Sequence, residues 1–200
     1  MKITNFKNKF NSCSTCDKCS TTTKVFGNGN LNAEIMIIGE SPGRDEIESQ
    51  DPLAGPHGEM LNKALGAVGI KKENLYYTNT ILCKTNDKNR APSWEEIQNC
   101  SIRLEEEINI VKPNIILLIG SSSLKRFFGK TSTISENHGR WFMDFKPPYS
   151  RFFSIFHPSW VLNAVSEGEL KEKKKVIWND IKTFRKEMEI VNFTLRREND

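Results

Sequence analysis

Two hundred residues, 37% apolar and 27% charged, make an ordinary globular composition, with enough chain for one central sheet covered on both faces. A formal net charge of +4 permits a polyanionic partner without demanding one. No apolar run reaches the length of a membrane span and MKITNFKNKF lacks a signal-peptide core, so a cytoplasmic, non-secreted chain with no membrane contact and reduced thiols is expected.

The first unusual stretch is CSTCDKCS, which spaces Cys13, Cys16 and Cys19 as C-x2-C-x2-C. An iron–sulfur run of that spacing would place its fourth cysteine at position 23, where Thr23 stands. The thiols therefore need a partner from elsewhere in the chain. AEIMIIGE (33–40) is a short apolar run closed by glycine and reads as a buried parallel strand. GEMLNKALGAVGI sets Met60, Leu61, Ala64 and Val68 on one helical face. NLYYTNTIL (74–82) reads as a second strand. A long amphipathic helix follows, opened by Pro92-Ser93, patterned by Trp94, Ile97, Leu104, Ile108 and Val111, and ended by Pro113.

NIILLIG is the clearest buried strand, and SSSLKRFFG a short helix with a serine cap that closes at Gly129. A loop or hairpin around ENHGRWF leads to the strand RFFSIF and then HPSW. The last helix is expected over about 169–190, through Ile177, Ile181, Phe184 and Met188, with a frayed LRREND tail. The order implies a three-layer α/β/α sandwich with a central, mainly parallel four-stranded sheet, in a single domain over 1–200. Ligands of such sheets sit beyond the strands' carboxyl ends, and here those ends carry GESPG, TN and HPS.

Each of these rim sequences has a structural reading alone: a tight capped loop, a satisfied strand end, a rigid His-Pro corner. Together, VFGNGN, IIGESPGRDE, P-x-A-G-x-x-G, YYTN, LCKTNDKNRAP and HPSW occur in the order found in the family 4 uracil-DNA glycosylases, the iron–sulfur branch of their superfamily. The chain resembles that family from about Cys13 to Trp160. The resemblance implies a [4Fe-4S] cluster held by Cys13, Cys16, Cys83 and Cys100, an N-terminal staple over 1–30, with Cys19 surplus. Zinc is the alternative metal for four thiolates, buried or idle cysteines the plain reading, and Cys16 with Cys19 an equally spaced pair.

The same resemblance implies a monomeric repair enzyme that flips uracil from single- or double-stranded DNA and hydrolyses its N-glycosidic bond. Asn79 would read the base edge, His157 would donate to O2, and the loop of Glu40, Ser41, Pro42 and Gly43 would place the water. Glu46 would crowd the C5 edge. Ser159 and the HPSW amides would grip phosphate, with nearby apolar residues filling the gap in the duplex. The basic CKTNDKNR loop is a further phosphate candidate, and KEKKK reads as a solvated helix start. Two departures stand out. Pro52-Leu53 replaces the family's Pro-Phe, whose ring stacks on the base, and His57 sits where no titratable group is usual; it reads as a surface or phosphate-contact histidine. A non-catalytic DNA-binding relative, or a glycosylase for another modified pyrimidine, are the alternatives that Leu53 raises.

Overall fold

The structure, a computed structural model, describes residues 2–16, 23–85, 90–143 and 151–198, with side chains as far as residue 188. Cys19 and residues 86–89 of the basic loop therefore lie outside the described residues.

Four parallel strands form the middle of the sheet: β2 (Ile35–Gly39), β3 (Leu75–Asn79), β4 (Ile115–Ile119) and β6 (Arg151–Ile155). They coincide with the four apolar runs of the sequence. Two short antiparallel strands extend the expected four to six, β1 (Asn28–Gly29) against β3 and β5 (Arg140–Met143) against β6. These edges carry no long apolar run, so only pairing reveals them. The order is β1-β3-β2-β4-β6-β5. The chain steps from β2 to β3 on one side and then crosses to β4 and β6 on the other, and this reversal opens a crevice at the carboxyl ends of β2 and β4.

Side chains alternate along every central strand. Ile35, Ile37, Tyr77, Leu117, Phe153 and Ile155 face helices α3 (Gly55–Ala67), α8 (Pro158–Leu162) and α9 (Glu167–Glu198), where Leu61, Leu65, Val161, Ile181 and Phe184 meet them. Met36, Ile38, Tyr76, Ile116, Leu118 and Phe152 face Leu104, Ile108 and Val111 of α5 (Ser101–Val111) and Leu124 of α6 (Ser121–Phe128). Burying such a side chain contributes about 1.5–3 kcal/mol, so the two apolar layers fix the register of the sheet.

Several expectations change. The single helix expected over 92–113 is α4 (Trp94–Asn99) followed by α5, with Cys100 at the junction. Ser93 caps it as expected, accepting from the Glu96 N–H. The N-cap of α6 is Gly120, not a serine. The backbone of α9 continues to Glu198, through the expected tail. The hairpin at ENHGRWF is preceded by α7 (Ile134–Asn137). An unforeseen helix, α1 (Lys2–Asn11), buries Phe6 and Phe10 against Leu82 and Cys83. Among the described residues no helix is long and apolar enough to cross a membrane.

Candidate active site

A cavity of about 600 Å³ opens at the carboxyl ends of the parallel strands. Each candidate catalytic or base-contacting residue lines it: Glu40 to Gly43 after β2, Glu46 on α2 (Arg44–Ser49), Leu53, Asn79 at the end of β3, and His157 with Ser159 after β6. Parallel alignment is the cause, because it delivers these strand ends to one rim.

Asn79 is 5% exposed, and its Nδ2 has no hydrogen-bond partner among the described residues. Its backbone carbonyl accepts from Arg103 Nη2 at 2.6 Å. A buried amide donor left unpaired costs about 1–3 kcal/mol, so this orientation suits a ligand acceptor. Opposite, His157 Nδ1 accepts from the Ser159 N–H at 3.2 Å and lies 2.8 Å from Ser159 Oγ. The bond from the backbone amide leaves Nδ1 as acceptor and puts the ring proton on Nε2. Burial, helped by nearby His57, lowers the His157 pKa to about 4, so the ring is neutral at ordinary pH.

Glu40 accepts a short hydrogen bond from Ser122 Oγ. Burial raises its carboxyl above the usual range, while the Ser122 bonds and Lys125 oppose the shift. Ser122, on α6, is a residue of the site that the sequence reading missed; its signal was the run of three serines that follows β4 and Gly120. Glu46 is also pushed up by burial, and one of its oxygens accepts from the Gly43 N–H at 2.9 Å, so it closes the start of α2 as well as lining the cavity.

His57 is a lining residue, its ring centroid 5.6 Å from that of His157 at 62°. That places it inside the pocket, not on a remote surface. Lys84, Thr85 and Arg90 line the outer rim, with Arg90 committed to Glu96 through two 2.8 Å bonds. In KEKKK, Lys173 pairs with Glu169 at 2.7 Å and lies over the Trp160 ring.

The thiols gather at a second, smaller cavity of about 100 Å³, lined by Cys13, Cys83, Cys100, Phe10, Leu82 and Arg103. Cys13 and Cys16 pack against the cluster of Phe6, Phe10, Leu82 and Cys83. Burial raises the Cys100 thiol pKa; the Arg103 charge and the Leu82 backbone N–H oppose the shift, and Cys83 and Cys16 act on it electrostatically. Among the described residues no three His, Cys, Asp or Glu side chains are drawn close enough to hold a single metal ion. An all-sulfur donor set around a small, largely apolar cavity nonetheless has the chemistry of an iron–sulfur site.

A model of the uracil DNA glycosylase superfamily matches residues 26–182. The chain is similar to a type-4 uracil-DNA glycosylase of Archaeoglobus fulgidus, 34% identical over 76% of this chain and 78% of the relative. It is similar to type-4 uracil-DNA glycosylases of Thermotoga maritima, 30% identical over 84% of this chain and 85% of the relative, and of Sulfurisphaera tokodaii, 32% identical over 72% and 70%.

Proposed function

The chain belongs to the uracil DNA glycosylase superfamily, and on that premise we propose that it excises uracil from DNA and leaves an abasic site. The observation that carries this reading is the buried Asn79 Nδ2, which lines the cavity and has no hydrogen-bond partner among the described residues. Flipped uracil offers O4 to Nδ2–H and N3–H to Oδ1. Cytosine presents the reverse pattern and would leave both amide groups buried and unpaired.

His157 lies across the cavity as a neutral ring with its proton on Nε2, ready to donate to O2. As the bond from C1′ to N1 breaks, its electron pair leaves with the base and spreads onto O2. The Nε2–H bond therefore strengthens in the transition state, which is where binding accelerates a reaction. Water adds to C1′. Glu40, oriented by Ser122, holds that water and takes its proton, and burial has raised its basicity for the task. Ser41, Pro42 and Gly43 bring the backbone close to the sugar. Glu46 limits the C5 side, and Ser159 and neighbouring amides meet phosphate. Exposed Leu162 and Val165 beside that loop supply apolar surface for the space the base vacates.

Cys13, Cys16, Cys83 and Cys100 would hold a [4Fe-4S] cluster; three of them line one small cavity, and thiolate-only ligation suits that group. Such a cluster supplies a structural cross-link between the N-terminus and the rim. The protein is read as a monomer on DNA.

The test is release of uracil from single- and double-stranded oligonucleotides by anaerobically purified protein, which should be brown. No release at stoichiometric enzyme overturns the uracil reading. Serine at Cys13, Cys16, Cys83 or Cys100 should bleach the colour, and Cys19→Ser should not; the opposite result for Cys13 and Cys19 shifts the ligand pair.

A further inference from the structure

The base pocket and the thiol cavity share a residue. Arg103 on α5 is 2% exposed and donates from Nη2 to the carbonyls of Asn79, at 2.6 Å, and Thr80, at 2.9 Å. Its Nη1 donates to Thr78 Oγ1 at 3.1 Å and to Glu107 Oε2 at 2.7 Å. Glu107, wholly buried, also accepts from Thr78 Oγ1 at 2.7 Å and from the Tyr76 hydroxyl at 2.9 Å. Gly27 leaves the room for this carboxylate, since a Cβ there would overlap Glu107 Oε1 and the Tyr76 ring. The end of β3 is thus gripped from below by one guanidinium whose charge Glu107 balances.

Arg103 also lines the cavity of Cys13, Cys83 and Cys100, and its buried Nε–H has no hydrogen-bond partner among the described residues. Between the two places runs residues 79–83. Arg103 holds the carbonyls at its start, the Cys100 sulfur meets the Leu82 N–H, and Cys83 stands at its end in the thiol cavity. One helical turn of α5 joins Cys100 to Arg103. Both ends of the base-reading segment are therefore tied to the same helix.

We propose that Arg103 is a positioning residue that couples the cysteine site to base recognition, by fixing the peptide between Asn79 and Thr80 and hence the direction in which the Asn79 amide leaves the strand. This rests on the reading of Asn79 as the base reader. The two carbonyls share Nη2 while Thr78 and Glu107 share Nη1, an arrangement that uses both arms of the guanidinium; a lysine ammonium is a single point donor and cannot reach both pairs. The free Nε–H leaves one more donor for a sulfur acceptor in the cavity.

The experiment compares wild type, Arg103→Lys and Cys100→Ala by amide hydrogen exchange and by uracil excision. In Arg103→Lys, exchange across 79–83 should quicken about tenfold or more while β4 exchange stays at its wild-type rate. Its kcat should fall about 10- to 100-fold with KM for DNA little changed. Cys100→Ala should loosen the same segment with Arg103 in place, which keeps the proposal testable if Arg103→Lys does not fold. Unchanged 79–83 exchange in either folded variant overturns the coupling, as does wild-type kcat in Arg103→Lys. A wild-type protein without uracil excision overturns the proposed function instead, and the exchange measurements still decide the coupling.

Discussion

Gly39 and Asn79 are paired across the β2–β3 ladder, and a Cβ at position 39 would overlap the Asn79 Oδ1. The acceptor proposed to meet uracil N3–H therefore occupies space that only glycine leaves. Gly39→Ala should push the amide aside and lower kcat about tenfold or more, roughly 1.4 kcal/mol of transition-state stabilisation, in a protein that still binds DNA. Single-turnover excision measures it. A fully active alanine variant would show that Oδ1 is not where the base is read.

His157→Ala removes the donor to O2 and should lower the rate by roughly 10²–10³, the usual cost of one such donor, with DNA affinity nearly kept. Ser159→Ala is milder. The backbone N–H of residue 159 still occupies Nδ1 and keeps the proton on Nε2, so a loss of about tenfold or less is expected. Full activity of the His157 variant would assign the leaving-group contact to another residue.

The pH profile should separate Glu40 from His157. On the proposed roles Glu40 works as a carboxylate, and burial holds its carboxyl above the ordinary range, whereas His157 works neutral and burial lowers its ring to about 4. Both lose their working form as pH falls, and Glu40 loses it first, so the acid limb belongs to Glu40. The linkage has the matching sign. A carboxyl with a raised folded pKa costs stability once ionised, so Glu40→Gln should abolish most activity yet raise Tm at pH 7, with the gain shrinking as pH drops through that pKa. His157, held neutral, costs stability as pH falls from 6.5 toward 4. Thermal melts from pH 4 to 8 test both signs, and a lower Tm for Glu40→Gln at pH 7 would contradict the first.

Leu53 lines the pocket where the family pattern has a stacking ring. Leu53→Phe should raise kcat/KM on uracil several-fold, within the 1–3 kcal/mol per base that aromatic stacking provides. A fall would show a pocket shaped for a different base, and assays on oligonucleotides with other modified pyrimidines would then identify it.

Much of this was legible in the residues. Apolar runs ending in GESPG, TN and HPS placed three strand ends on one rim, because buried parallel strands need no polar alternation and their ends must turn at the same edge. Arg103 and Glu107 were not legible. Polar residues on an amphipathic helix default to the solvent face, yet here both lie inward beside Leu104 and Ile108 because strand-end carbonyls and hydroxyls wait for them. Helix α1 was missed although Phe6 and Phe10 stand one turn apart, since a short polar segment has little helical tendency until Leu82 and Cys83 cover those rings. His57 gave no sign of its place beside His157, which only the packing of α3 against α8 creates.

The one-to-one pairing of β2 with β3 has a mechanical consequence. On the proposed roles, the water-holding loop leaves the end of one strand and the base reader the end of its neighbour, so a shift of either strand moves both. Leu53 and His57 sit on a different support, the entry to α3, outside that ladder. The pocket thus has one wall fixed by the strand ladder and another carried by the α3 entry, so substitutions at Leu53 or His57 should change base preference without moving the β2 and β3 ends.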